Sequence, residues 1–202
     1  MQGAMPGDRD RDRNRTPNKR REPRKATPKY LRNSALYYLQ RYASSSAHLR
    51  RLLRAKVARS ARAHDTDPEE GAASIEALIA ELLDAGLLDD ARYASERARI
   101  LHRRGASARA VRAGLMAKGI EADDIERALA DLREEAAEPE LAAALAYARR
   151  RRLGPYRSPS ERAERREKDL AALGRKGFSY ELARRVIKTN DLAELEDEAG
   201  VR

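Results

Sequence analysis

Apolar side chains in this chain recur with the 3.6-residue period of an α-helix, and serine or glycine breaks the pattern at short intervals. Ile75, Leu78, Ile79, Leu82 and Leu83 fall at i, i+3, i+4, i+7 and i+8. Ile125, Ala128, Leu129 and Leu132 repeat the spacing, as do Leu141, Ala144, Leu145 and Ala148. Side chains so spaced share one face of a helix, and nothing alternates at the period of two that a half-buried strand needs. The spacing predicts helices over 33–43, 46–62, 68–85, 89–104, 107–118, 122–136, 138–152, 159–176 and 179–189. Ser44-Ser45-Ser46, Asp89, Ser107, Ser158 or Ser160, and Ser179 stand where an N-cap oxygen is wanted. Gly86, Gly105, Gly119, Gly154 and Gly177 stand where a helix stops. Leu88 ahead of the Asp89 cap, with Tyr93 beyond it, has the spacing of a hydrophobic staple.

An all-α fold follows, but not one with a single large core. Charged residues make up 38% of the chain and aromatics 4%, so each helix has only a narrow leucine–alanine stripe to bury. Nine short helices therefore suggest repetition. A shift of 62 places Leu49-Arg50, Leu53 and Lys56 on Val111-Arg112, Leu115 and Lys118. A shift of 58 places Leu115, Lys118-Gly119 and Ile120 on Leu173, Lys176-Gly177 and Phe178. The expected architecture is three tandem three-helix repeats, over 30–86, 87–136 and 137–190, stacked in an elongated, curved arrangement. Residues 1–29, with four prolines and an Asp-Arg alternation, read as a disordered basic arm, and 191–202 as an acidic, fraying tail.

Several function classes find no support. No apolar run approaches the ~18 residues that cross a bilayer, and there is no cysteine for a disulfide or thiolate site. A cytoplasmic protein is expected. His48, His64 and His102 have no second ligand at metal spacing and read as solvated surface. Neither Gly114 to Gly119 nor Gly174-Arg175-Lys176-Gly177 follows a strand, so neither resembles a phosphate-binding loop. Asp89-Asp90 suit the amides and positive end of a helix start. With no nucleophile–base pairing, the expectation is a binding protein, not an enzyme, with no cofactor and no metal.

Charge carries more information. Residues 30–190 hold 32 Lys/Arg against 24 Asp/Glu, a surplus that suits a polyanion or an acidic protein surface. Arginine-rich, alanine-rich coding in a GC-rich genome produces the same surplus, so charge alone assigns no partner. The candidate contacts are Arg50, Arg51 and Arg54 on the second helix and Arg103, Arg104, Arg109, Arg112 and Lys118 around the fifth. Arg149, Arg150, Arg151 and Arg152 end the seventh, and Arg175, Lys176, Arg184 and Arg185 close the third unit. The second-helix stretch and the seventh-helix run have few acids nearby in sequence, which favours a partner there. The eighth helix, where Glu161, Glu164 and Glu167 alternate with Arg162, Arg165 and Arg166, reads as a self-paired solvated face.

Gly86-Leu87-Leu88-Asp89-Asp90-Ala91-Arg92-Tyr93-Ala94 resembles the central signature of the bacterial regulatory protein RecX family. Arg104-Gly105, Val111-Arg112, Leu115 and Lys118-Gly119-Ile120 are similar to that family's second unit. Arg175-Lys176-Gly177-Phe178-Ser179-Tyr180-Glu181 is similar to its third. The likeness runs in order over about 33–189. It departs at Gly114, where the family commonly has Glu, and at Val57, where a glycine would follow Lys56. The resemblance implies three tandem three-helix repeats, a monomer, and negative regulation of the RecA recombinase. It implies binding at the groove or end of the RecA–DNA filament, inhibiting ATPase, strand exchange and co-protease activity, and in some members direct DNA binding. Two other readings stay open. One is a stand-alone DNA-binding protein with helix-turn-helix-like units for single- or double-stranded DNA; the other is a helical scaffold for some other acidic protein.

Overall fold

The computed structural model describes residues 22–200. Among them are ten α-helices, one 3-10 turn and no strand. In chain order the helices are α1 Pro28–Leu39, α2 Ser46–His64, α3 Pro68–Asp84, α4 Asp90–Arg103, α5 Ala108–Met116, α6 Ala122–Glu135, α7 Pro139–Arg151, α8 Pro159–Arg175, α9 Tyr180–Lys188 and α10 Leu192–Glu198. The turn, Gly154–Tyr156, lies between α7 and α8. The predicted caps form. Ser45, Asp89, Ser107 and Ser179 each accept from the amide three residues on. Ser158 makes no such bond to its helix. Gly86, Gly105, Gly119 and Gly177 take positive φ where their helices stop, the conformation that glycine adopts without the strain of a Cβ.

The helices associate in successive groups: α1–α3, α4–α6, and α7–α10 with the 3-10 turn. Each group has its own core. Leu31, Leu49, Leu53, Ile75, Ile79 and Leu82 anchor the first; Val111, Leu115, Ile125 and Leu129 the second; Leu141, Leu145, Leu173 and Val186 the third. The groups follow one another in tandem, and the third docks on the second where α7 meets α4 and α6. Cores this thin gain by stacking on a neighbour, as the third does on the second through α7. Among the described residues no helix is long and apolar enough to cross a membrane.

Three sequence expectations need correction. The helix expected over 33–43 is α1, and it starts at Pro28, capped by the Thr27 hydroxyl, so 22–29 belong to the fold. Ala26 packs against the first core and its amide donates to Ser60 Oγ (2.9 Å). The remainder of the expected arm, 1–21, lies outside the described residues. The acidic tail contains α10, whose Leu195, with Ala199 just beyond it, is buried in the third core. The staple is different too, because Leu88 buries in the first core while Tyr93 leans on the second.

The third unit holds a buried ion pair that sequence reading did not anticipate. Asp169, 2% exposed, accepts from Gly154 N (2.9 Å), Arg157 Nε (3.1 Å) and Arg157 NH2 (2.9 Å). Burial pushes this carboxyl up, but Arg157 and the Gly154 amide outweigh it and leave its pKa below the ordinary 3.8. Asp169→Ala would strand a guanidinium and a buried amide, so it is expected to cost about 3 kcal/mol in urea denaturation. Because the folded pKa is depressed, the carboxylate's stabilisation is complete above the ordinary carboxylate range. It disappears as pH falls below that range through the folded value. The gap between parent and Asp169→Asn should therefore be widest near neutrality and narrow in acid.

Candidate interaction surface

Both junctions between units are built on the same pair of residues. At the first, Ser45, the N-cap of α2, donates from Oγ to the Lys118 carbonyl just past α5 (2.7 Å). At the second, Ser107, the N-cap of α5, donates from Oγ to the Lys176 carbonyl at the end of α8 (2.9 Å). Each serine also accepts an amide of its own helix, from His48 N and Ala110 N (both 3.2 Å). One hydroxyl thus caps a helix start and satisfies a helix end in the next unit. The glycine after each lysine lets the chains close up. A Cβ at Gly119 would meet Ala47 Cβ at 2.5 Å, and one at Gly177 would meet Ser107 Oγ at 2.6 Å. The first unit departs from this pattern: Val57, after Lys56, is buried in its own unit's core against Gly71 of α3, and α2 runs on to His64.

Asp90 strengthens the first junction, because its carboxylate accepts from Ser46 N (2.8 Å) and Ser46 Oγ. Asp89 caps α4 by accepting Arg92 N (2.8 Å). The Asp89-Asp90 pair therefore caps two helices in two units. At the second junction Ala108 N donates to Glu140, and His102 Nε2 lies 2.6 Å from the Pro139 carbonyl. The histidines expected as solvated surface are half-buried and partnered instead. His64 meets the Pro23 carbonyl, and His48 lies 6.1 Å from the Tyr38 ring.

These contacts gather cations and aromatic rings at each junction. At the first, burial, helped by nearby Lys118 and Arg51, holds the His48 imidazole below the ordinary range. Tyr38 stacks tilted on Tyr42 at 5.1 Å, and the Arg41 guanidinium sits 3.7 Å above the Tyr37 ring. Tyr37 and Tyr42 are 62% and 58% exposed, enough to present ring faces to a partner. At the second, Arg150 and Lys176 each approach Tyr147 to 5.8 Å, while Arg109 flanks Gly177 and Gly105 lies against the Tyr147 backbone. Each junction thus has cations beside an aromatic ring, though the rings come from different elements. They are His48 of α2 next to Tyr38 of α1 at the first, and Tyr147 of α7 at the second.

Of the predicted contacts, Arg51 and Lys118 meet at the first junction, and Arg109, Arg150 and Lys176 at the second. Arg103, Arg104, Arg149, Arg151, Arg152, Arg175 and Arg184 are exposed, and among the described residues none forms an ion pair. Four others are engaged. Arg50 and Arg54 both hold Glu76 at 2.9 Å, Arg112 pairs with Glu126, and Arg185 pairs with Glu198 of α10. The expectation of few acids near the second helix fails because Glu76 arrives from α3. The signature residues divide into buried Leu88 and Phe178 and exposed Leu87 and Tyr180. Tyr38, Tyr42, His48 and Tyr147 escaped sequence reading. The Tyr37-Tyr38 and Tyr42 cluster, in a chain with eight tyrosines, was the available signal. Among the described residues no group of His, Cys, Asp and Glu is arranged to hold a metal ion.

Fold and surface together define an all-helical tandem-repeat protein whose distinctive feature is a row of basic, aromatic junctions. Residues 89–129 match the family model described as RecX, second three-helix domain. The chain is 42% identical over 180 residues to the Regulatory protein RecX of Myxococcus xanthus, covering 86% of this chain and 95% of that one. It is 31% identical over 166 residues to the Regulatory protein RecX of Agrobacterium fabrum, covering 82% and 86% respectively. A solved structure described as the crystal structure of regulatory protein RecX shares the fold, with a TM-score of 0.54 and 24% identity. That match covers 80% of this chain and 71% of the other. The chain belongs to the RecX family of regulatory proteins.

Proposed function

We propose that this protein restrains the RecA recombinase by lying along, or capping, the RecA–DNA filament. It would slow the filament's ATPase, strand exchange and co-protease activity. The observation that carries the reading is the recurrence of one serine–lysine junction, with cations and an aromatic ring beside it each time. A filament is itself periodic, and a surface with matching repeats engages it at several weak points, so avidity replaces a deep pocket. Family membership supports a regulatory role, and the exposed arginines at the ends of α4 and α7, in no ion pair among the described residues, extend the same cationic character.

The test is RecA ATPase on single-stranded DNA with fewer chains of this protein than RecA protomers. The expected result is strong inhibition well below equimolar, the behaviour of a protein acting at filament ends. Inhibition that grows only toward equimolar would assign lattice coating. An ATPase rate unchanged at a molar excess of this protein would overturn the proposal.

One observation favours a second reading, binding to bare DNA. The exposed Tyr37 and Tyr42 rings beside Arg41 have the make-up of a stacking platform for unpaired bases. An affinity for single-stranded DNA that is the same with and without RecA, and falls steeply with salt, would support it.

A further inference from the structure

The first unit holds a further concentration of positive charge, apart from the Ser45 and Ser107 junctions and unrelated to the RecA reading. Residues 22–27 cross this unit as a strap, fastened where His64 meets the Pro23 carbonyl and where Ala26 N donates to Ser60 Oγ (2.9 Å). Ser60 Oγ is also 3.0 Å from Thr66 Oγ1, so the second fastening joins strap, α2 and the α2–α3 turn. Between the strap, α1 and α2 lies a cavity of about 470 Å³ lined by Glu22, Pro23, Arg24, Tyr30, Lys56 and Arg59.

Its three cations meet no carboxylate in an ion pair among the described residues. Arg59 donates Nε to its own helix at the Ala55 carbonyl (3.1 Å), and Lys56 Nζ reaches the Tyr30 hydroxyl at 3.4 Å. Three cations around one cavity with a single carboxylate, Glu22, among its described lining leave a positive potential that an anion relieves. The phenol registers it. Burial alone would raise the Tyr30 pKa, yet Lys56, Ser34 and Arg24 outweigh burial and leave it below its ordinary value.

We propose that this cavity binds a phosphate group carrying at least two negative charges, as a phosphomonoester or a pyrophosphate. Two guanidinium forks match tetrahedral phosphate oxygens, the lysine adds a compact charge, and the phenol supplies a hydroxyl donor. The volume holds more than a lone phosphate, so the ligand carries the group on a larger body. Among the described residues Glu22 is the one opposing charge in the lining, and it lowers the affinity.

Pyrophosphate is the first probe, added to the full chain at moderate salt and followed by calorimetry and by hydrogen exchange. We expect saturable binding, with exchange protection concentrated in 22–30 and 56–64. Arg24→Ala with Arg59→Ala should weaken binding about tenfold, because two charge-assisted contacts disappear from a partly screened site. Glu22→Gln should tighten it roughly twofold by removing a screened repulsion. All three positions are exposed, so the fold is expected to survive these changes. Two further probes distinguish the ligand's source. A 5′-phosphorylated oligonucleotide that outbinds its 5′-hydroxyl counterpart, and loses that advantage in the double variant, assigns a polynucleotide end. ADP binding that is lost in the double variant, with the two oligonucleotides equal, assigns a free nucleotide. The proposal is overturned if the double variant binds pyrophosphate as the parent does, if succinate binds as well as pyrophosphate, or if protection spreads over the basic surface without favouring the strap.

Discussion

Gly105→Ala is expected to destabilise the protein by about 3 kcal/mol, and the loss should fall on the contact between the second and third units. Two costs combine. Gly105 sits at φ 77°, where an L side chain costs roughly 1–2 kcal/mol. The added Cβ would also stand 2.5 Å from Tyr147 N and 2.7 Å from Tyr147 Cα. Those are backbone atoms of α7, so no rotamer change relieves the clash and the helix itself must shift, a further roughly 1–3 kcal/mol. Gly86→Ala is the matched control, since Gly86 has φ 65° with nothing within 4 Å of the added Cβ. It carries only the conformational cost, about 1 kcal/mol. Urea denaturation of both variants measures the difference. Equal losses would mean that Gly105 does not let α7 approach as closely as described. Because α7 carries Tyr147 and Arg150, the same variant should disturb the second cationic cluster.

Much of this architecture was legible in the sequence, and the reason is physical. A helix that buries one stripe leaves a 3.6-residue trace, and a junction used twice leaves the same residues at a constant offset. Ser45 with Lys118 and Ser107 with Lys176 are joined by the very shifts that align the repeats. What escaped was the chain's two ends. Pro28 looked like part of a proline-rich arm, whereas at the first position of α1 its missing N–H costs nothing and its fixed φ suits the helix. The apolar side of α10 is only Leu192 and Leu195, with Ala199 beyond, and five carboxylates in the same stretch masked it. In both places the decisive term is burial against a core distant in sequence, which no local pattern reports.

The surface was less legible. Arg50 and Arg54 looked unpaired because the nearest acids along the chain are far off, yet folding brings Glu76 from α3 between them. Arg112 found Glu126 in the same way, and Arg185 found Glu198 on a helix that was not expected at all. Lys118 and Lys176 stand out in the sequence because the junction that uses their carbonyls is repeated at a constant offset. Tyr147 was not, since a tyrosine on an alanine-rich helix reads as core, and only its cation neighbours distinguish it.

If the junction clusters are the working surface, reversing charge at the second should cost more than any single structural substitution. Arg109→Glu with Arg150→Glu replaces two exposed cations flanking Gly177 and Tyr147 by anions, a change of four charge units. Among the described residues neither is in an ion pair or a side-chain cap, so helicity by circular dichroism should be unchanged. Inhibition of RecA ATPase should weaken by a factor of about ten or more, since juxtaposed like charges repel the partner as well as removing attraction. Arg50→Glu is the internal comparison. It breaks an ion pair within the first unit and touches neither cluster, so its effect on inhibition should be small even though it lowers stability by up to roughly 1 kcal/mol. Added salt separates attraction from shape. The parent's inhibition should fall with ionic strength while the double variant's changes little, because the screened interaction is already gone. Full inhibition by the double variant at moderate salt would move the working surface elsewhere, with Arg51, Lys118 and the tyrosines of the first junction the next place to look.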